Sequence, residues 1–186
     1  FVVTQEEMTS GRAVGDLAHY PHEFETASAL LEICFKTGKS ITEIKRENEL
    51  SRRSALELDR GLAEIWDVMS SCIDRGLVTD GILPGGLNVK RRAKGIHDSL
   101  VSERGVNLSA PHTINDWMSV YAMAVNEENA AGGQVVTAPT NGAAGVIPAT
   151  IRYWLDHVPR ANNQKVSDFL LTAAAIGGLI KSNASI

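Results

Sequence analysis

The sequence has few cysteines. Its 186 residues include two, Cys34 and Cys72, which lie far apart and form no CxxC pair. Because each sits in an apolar, helix-like stretch, the pattern predicts two reduced core thiols rather than a disulfide or a metal site. Reduced thiols are typical of a cytoplasmic protein. The five histidines are scattered without metal-ligand spacing, so they predict no metal site either.

Basic charge and long apolar runs are also scarce. The formal net charge is −4, and the densest basic run is Lys90 to Arg92, with Lys94 close by. A nucleic-acid surface needs a larger basic stripe, so we predict no nucleic-acid partner. The longest apolar run, residues 169–180, is too short to span a bilayer, and the first residues lack the pattern of a signal peptide. We therefore predict no membrane association.

What the sequence does have is helical periodicity after residue 20, while strand signal is confined to the opening residues 1–4. Helices are predicted over residues 21–38, 51–75, 90–103, 113–131, 146–157 and 167–181, with a short one opened by a capping box of Ser40 and Glu43. Gly76 is predicted to end the long helix, and Pro148 is tolerated only in a first turn. The fold class is therefore mainly α, a multi-helix bundle-like domain.

The final predicted helix is apolar nearly all round and contains Gly177 and Gly178. Such a helix is typical of the centre of a bundle, and its glycines would let another backbone come close. Polar residues 181–185 follow it, and they either cap the helix or line a cavity.

The segment from Asn126 to Pro148 is the most unusual part of the sequence. It combines four glycines with the short polar side chains of Thr137, Thr140 and Asn141, and it leads into a helix that starts near Gly145. The free N–H groups and dipole of a helix N-terminus favour an anion, such as a substrate carboxylate. The alternative is a tight connector between two packed helices.

Glu127 and Glu128 lie at the end of the preceding helix, where the dipole disfavours anions. They have either a chemical role, as base or hydrogen-bond acceptor, or a structural one. In the structural case, which we favour, they lie on a solvated face or pair with Arg91, Arg92 or Arg152.

Several stretches together resemble the bacterial iron–sulfur L-serine dehydratases. The most specific is the block from Asn126 to Ala143; the others are residues 63–76, 83–93 and 169–186, so that the resemblance covers essentially the whole chain. It implies conversion of L-serine to pyruvate and ammonia, with a 4Fe–4S cluster acting as Lewis acid on the β-hydroxyl.

The resemblance also implies the domain organisation. Residues 1–20 would be the linker from a preceding α/β domain, and residues 21–186 the front part of a helical catalytic domain, truncated on its C-terminal side. The three cysteines that ligate the cluster would follow Ile186, since Cys34 and Cys72 match no ligand motif. A homodimer is the expected assembly.

The residues expected to face L-serine lie in three parts of the chain. The catalytic base is not assigned. The expected substrate-binding residues are Thr137, Thr140, Asn141, Gly142 and Ala143, then Asn183 and Ser185, with Arg91 or Arg92 as a bidentate partner for the carboxylate.

Three other functions remain open. A pyridoxal-phosphate dehydratase would need a Schiff-base lysine beside a phosphate cup, and only Lys181 lies near a plausible site. A non-catalytic helical interaction module would explain the amphipathic pattern. A related cysteine desulfidase-type lyase would use the same scaffold, because nothing in these residues separates a hydroxyl from a thiol leaving group.

Overall fold

The computed structural model describes residues 20–103, 113–137 and 140–184. Within them the chain is helical, and the only β feature described is an isolated bridge between Ile82 and Lys90. The predicted mainly α class is confirmed. The predicted linker, residues 1–20, lies almost entirely outside the described residues. The helices are α1 (Ala27–Thr37), α2 (Ile41–Leu50), α3 (Ala55–Val78), α4 (Ala93–Glu103), α5 (Thr113–Ala130), α6 (Val146–His157) and α7 (Val166–Asn183).

Three helices begin later than the sequence predicts; one of them is α4, which begins at Ala93 rather than at residue 90. α1 begins after Thr26, whose hydroxyl accepts a hydrogen bond from the third residue along, rather than at Pro21. α3 begins after Ser54 rather than Ser51, because Ser54 and Glu57 form a complete capping box. Ser51 instead ends α2. Serine occurs at both positions, and only Ser54 has a glutamate three residues later to complete the box.

Two other predictions about helix ends are confirmed. Ser40 and Glu43 form the capping box that opens α2, and Pro148 lies in the first turn of α6, where its missing N–H is tolerated. α5 gives way to a turn at Gly132, whose φ of 78° is in the left-handed region that glycine adopts without strain.

The prediction that Gly76 ends α3 is wrong, because the helix continues to Val78. Gly76 is buried against α5, and a Cβ at this position would lie 2.5 Å from the backbone oxygen of Ala124. Gly145, just before α6, meets α5 in the same way, with a Cβ only 2.7 Å from the backbone oxygen of Ala122. Both glycines therefore serve close approach to α5 rather than helix termination.

The buried apolar side chains form three clusters that α3 and α7 link together. The largest joins α4, α5 and α6 to the C-terminal half of α3, and includes Ile73, Leu100 and Val120. A second joins the N-terminal half of α3 to α6 and α7 through Leu62 and Leu171. The third holds α1 and α2 against α7. The part of the Asn126–Pro148 segment that follows α5, residues 131–145, is called the glycine-rich segment below; it leaves the helix that the largest apolar cluster surrounds.

The predicted central position of the last helix is wrong for the part of the chain that the structure describes. α7 packs one face on α2 and α3, but Ile176 and Ile180 remain 47% and 59% exposed, and Gly177 and Gly178 have no neighbour within 4 Å of a Cβ. An apolar pattern shows that a helix can be buried, and it does not say which helix occupies the centre. None of the described helices is long and apolar enough to cross a membrane.

We predict opposite effects for two glycine substitutions in α3. Gly76→Ala should lower the free energy of unfolding by about 1–3 kcal/mol, because the new methyl group overlaps the α5 backbone. Gly61→Ala is the matched control: it lies in the same helix with nothing within 4 Å of its Cβ, and should raise that free energy by about 0.5–1 kcal/mol. Urea unfolding measures both changes. Equal effects of the two substitutions would contradict the close approach.

Candidate active site

The glycine-rich segment forms an exposed edge between α5 and α6. It leaves α5 at the Gly132 turn, continues without regular structure to Thr137, and forms a short 3₁₀ turn at Asn141–Ala143 before α6. Residues 138 and 139 lie outside the described part of the chain. The predicted substrate-facing residues of this segment are all exposed: Thr137, Thr140, Asn141, Gly142 and Ala143.

Asn141 ties the 3₁₀ turn to α5. Its side-chain amide donates a hydrogen bond to Oδ1 of Asn129, 3.1 Å away, and its carbonyl accepts from the backbone N–H of Ala144. The turn leads directly to the N-terminus of α6, where no side chain caps the first N–H groups. The turn therefore places short polar groups beside a helix end that favours an anion.

Glu127 caps α4 from a different helix. It is 5% exposed, and its Oε1 accepts a 2.7 Å hydrogen bond from the backbone N–H of Arg92, with the N–H of Ala93 also within 3.4 Å. These N–H groups belong to the first turn of α4, so the carboxylate compensates that helix dipole. The prediction of a solvated face is wrong for Glu127 and for Glu128, because they are only 5% and 6% exposed.

Glu128 is buried between two arginines. Its Oε1 lies 2.7 Å from Nη1 of Arg91, and its Oε2 lies 3.2 Å from Nε of Arg75. The side chains of Glu128 and Arg91 are each 8% exposed. The predicted pairing with Arg91 is confirmed. Pairing with Arg152 is wrong, because Arg152 bridges carboxylates on α3 and α6 instead.

The two candidate arginines for the substrate carboxylate therefore differ. The guanidinium of Arg91 is committed to a carboxylate of its own chain and is nearly inaccessible, so a role in holding substrate is at odds with its position. Arg92 is exposed and lines a groove of about 420 Å³ together with Ser119 and Asn126. Of the pair, Arg92 has the accessible side chain.

Asn183, another predicted substrate-binding residue, is the last residue of α7. The amide of Asn183 donates to the backbone oxygens of Glu25 and Leu179, at 3.2 and 2.8 Å. These hydrogen bonds tie α7 to the residues before α1, and they do not join Asn183 to the glycine-rich segment. Ser185 lies outside the described residues.

The cysteines of this chain are poorly suited to hold an iron–sulfur cluster. Cys72 is buried in the apolar core around α5, whereas Cys34 packs against the separate apolar core of α1, α2 and α7. Cluster ligands are thiolates, and burial raises the pKa of the Cys72 thiol, which disfavours the thiolate. The described residues contain no group of three or more His, Cys, Asp or Glu side chains placed to bind a metal ion.

Sequence reasoning missed Arg75 altogether. This residue lies in the last turns of α3, donates to Glu128, and donates through Nη2 to the backbone oxygen of Gln134 at 3.2 Å. The sequence signal for Arg75 is its position next to Gly76. A glycine that packs against another helix places the residues beside it at the edge of that helix–helix contact.

Comparison with known proteins identifies the class of protein. Residues 36–186 match the family model described as serine dehydratase alpha chain, so the chain belongs to the serine dehydratase alpha chain family. That match contains all of the glycine-rich segment.

Three relatives show how far the similarity extends. The chain is 49% identical over its whole length to L-serine dehydratase of Streptomyces coelicolor. It is 48% identical over 89% of its length to L-serine dehydratase TdcG of Escherichia coli, and 40% identical over its whole length to L-serine dehydratase of Helicobacter pylori. The chain spans 40%, 36% and 41% of these proteins, respectively.

We predict that Cys72 is protected from thiol reagents in the folded chain. Its burial and raised pKa keep the reactive thiolate scarce and inaccessible. In a Cys34→Ser variant, where Cys72 is the only thiol, an aromatic disulfide reagent should react slowly at neutral pH and rapidly in denaturant. A Cys72→Ser variant provides the matched control for Cys34. Rapid reaction of native Cys72 would show that this part of the core opens readily.

Proposed function

We propose that this chain forms part of an L-serine dehydratase, a lyase that converts L-serine to pyruvate and ammonia. The observation that carries the proposal is the family match over residues 36–186, supported by relatives with that name along the whole chain. In this reaction the α-proton is removed and the β-hydroxyl leaves as water. The resulting aminoacrylate becomes an imine, which takes up one water to release ammonia and pyruvate.

We assign the binding of L-serine to the exposed edge formed by Thr137 and residues 140–143. Its hydroxyl, amide and backbone groups match the donors and acceptors that a carboxylate and an ammonium require. The uncapped N-terminus of α6 adds a favourable dipole for the carboxylate. Arg92 is the second candidate for the carboxylate because its side chain is accessible. Asn183 and Ser185 are kept as candidates on the resemblance alone, since the amide of Asn183 donates to Glu25 and Leu179.

We propose further that the enzyme uses a 4Fe–4S cluster, with its cysteine ligands beyond Ile186 in a longer polypeptide. The support is the resemblance, together with the placement of Cys34 and Cys72 in separate apolar clusters. On the same resemblance we propose a preceding α/β domain, a homodimer and a cytoplasmic location. These 186 residues alone are then expected to lack activity.

The assignment of Asn141 is tested in the full-length polypeptide that contains these residues. Asn141→Ala should lower kcat/KM for L-serine by roughly 10- to 100-fold, the loss expected when a hydrogen bond to a charged group is removed. The protein should remain folded because the side chain is exposed. Steady-state pyruvate formation under anaerobic conditions measures the effect.

Asn163→Ala is the control, because this exposed asparagine lies on the 3₁₀ turn before α7, outside the glycine-rich segment. It should leave kcat/KM unchanged. Turnover like that of the unsubstituted enzyme in Asn141→Ala would mean that the segment is only a connector between helices. Comparing L-serine with L-cysteine as substrate separates the dehydratase from a desulfidase.

The cofactor is tested by absorbance of the same polypeptide purified without air. We expect a broad iron–sulfur shoulder that bleaches when air is admitted, together with loss of pyruvate formation. A defined aldimine band would contradict the proposal and favour a pyridoxal-phosphate enzyme. Treatment with an iron chelator should abolish activity only if the shoulder disappears as well.

A further inference from the structure

Glu128 connects three helical parts of the structure to the start of the glycine-rich segment. It lies in the last turn of α5 and accepts hydrogen bonds from Arg75 of α3 and from Arg91, which precedes α4. Arg75 also donates to the backbone oxygen of Gln134, inside the glycine-rich segment. One buried carboxylate on α5 is therefore connected to α3, to the start of α4 and, through Arg75, to the glycine-rich segment.

The charge balance makes this cluster difficult to rearrange. Two guanidinium groups face one carboxylate, and their positive charge offsets the dipole of the α5 C-terminus, which disfavours an anion there. Removing the carboxylate would leave Arg91 buried without a counter-charge, which is far more costly than loss of an exposed pair. Moving the buried Glu128–Arg91 pair apart is therefore costly, and the neighbouring backbone packs against that pair.

The glycine-rich segment packs against Glu128. The backbone N–H of Gly133 donates to the backbone oxygen of Glu128 at 2.8 Å. A Cβ at Gly133 would lie 2.9 Å from Oε2 of Glu128 and 3.0 Å from its backbone oxygen, so a larger residue here would require the carboxylate to move. One residue later, Arg75 fixes the carbonyl of Gln134. The path by which the chain leaves α5 towards Thr137 is therefore set on both sides by the Glu128 cluster.

We propose that Glu128, acting through Arg75 and Arg91, is a positioning residue for the serine-binding edge. It does not touch substrate; it sets the direction in which residues 133–137 leave α5, and so the place of the polar groups that follow. This inference rests on the proposed function, because the edge is assigned to L-serine there. Small displacements of a binding group are costly to catalysis, which gives the cluster a functional consequence beyond stability.

The test uses Glu128→Gln in the full-length enzyme, purified without air. The glutamine keeps the shape and one acceptor oxygen but removes the charge. We expect kcat/KM for L-serine to fall by roughly 10- to 100-fold, with faster amide hydrogen exchange confined to residues 132–144. If Glu128→Gln does not fold, Arg75→Gln replaces it: Arg75 is 44% exposed, and its loss frees Gln134 while the Arg91 pair remains.

Arg152→Gln is the matched control. Arg152 also bridges two carboxylates between helices, Asp74 of α3 and Asp156 of α6, but it does not contact residues 132–137. It should lower stability without changing kcat/KM or hydrogen exchange in residues 132–144. An equal fall in kcat/KM for the control and for Glu128→Gln would overturn the positioning role and leave only a stabilising one.

A double substitution separates positioning from an independent effect. If Glu128 acts through the edge, adding Glu128→Gln to Asn141→Ala should cost little more activity than Asn141→Ala alone. If the loss of activity in the double variant equals the product of the losses in the two single variants, the proposal is overturned. Absence of serine turnover in the unsubstituted enzyme would instead refute the proposed function. Hydrogen exchange would then still test the positioning role. That role stands if residues 132–144 exchange faster in Glu128→Gln, and it fails if they do not.

Discussion

The backbone of α5 is approached so closely from two sides that a methyl group would not fit at either contact. Gly76 of α3 lies against Ala124, and Gly145 before α6 lies against Ala122. Helix axes usually stay far enough apart for side chains to interdigitate, whereas here glycine and alanine bring backbones together. α5 therefore occupies the middle of the described structure, with α3, α4 and α6 around it, and the position of everything after Ala130 depends on that packing.

The same packing explains why two consecutive carboxylates are buried at one helix end. Successive helical residues point about 100° apart, so Glu127 and Glu128 serve different neighbours. Glu127 faces the N–H groups that open α4, and Glu128 faces the guanidinium groups of Arg75 and Arg91. Positive groups from two sides outweigh the unfavourable dipole of α5 itself. The acidic pair is thus a junction between helices rather than a solvated face.

Features that depend on residues close in sequence can be predicted here, whereas features that depend on packing between helices cannot. The capping box at Ser40 and the place of Pro148 follow from hydrogen bonds and sterics within a few residues, so the sequence predicts them well. The roles of Gly76 and Glu128 depend on which helix lies opposite, and a pattern along one helix carries no such information. For the same reason the apolar pattern of α7 suggested a central helix, whereas α5, with more polar residues at its end, occupies that place.

The exposed edge between α5 and α6 has both of its ends fixed to a single helix. At one end Gly133 turns against Glu128, and at the other Gly145 packs on Ala122, two residues of α5 separated by less than two helical turns. Among the described residues between them, the 3₁₀ turn at Asn141–Ala143 is the only regular structure, yet both ends of the segment are held to the same helix. A binding loop held in this way loses little further freedom when a ligand binds. A glycine-rich sequence and the proposed binding site are compatible here because α5 anchors both ends of the segment.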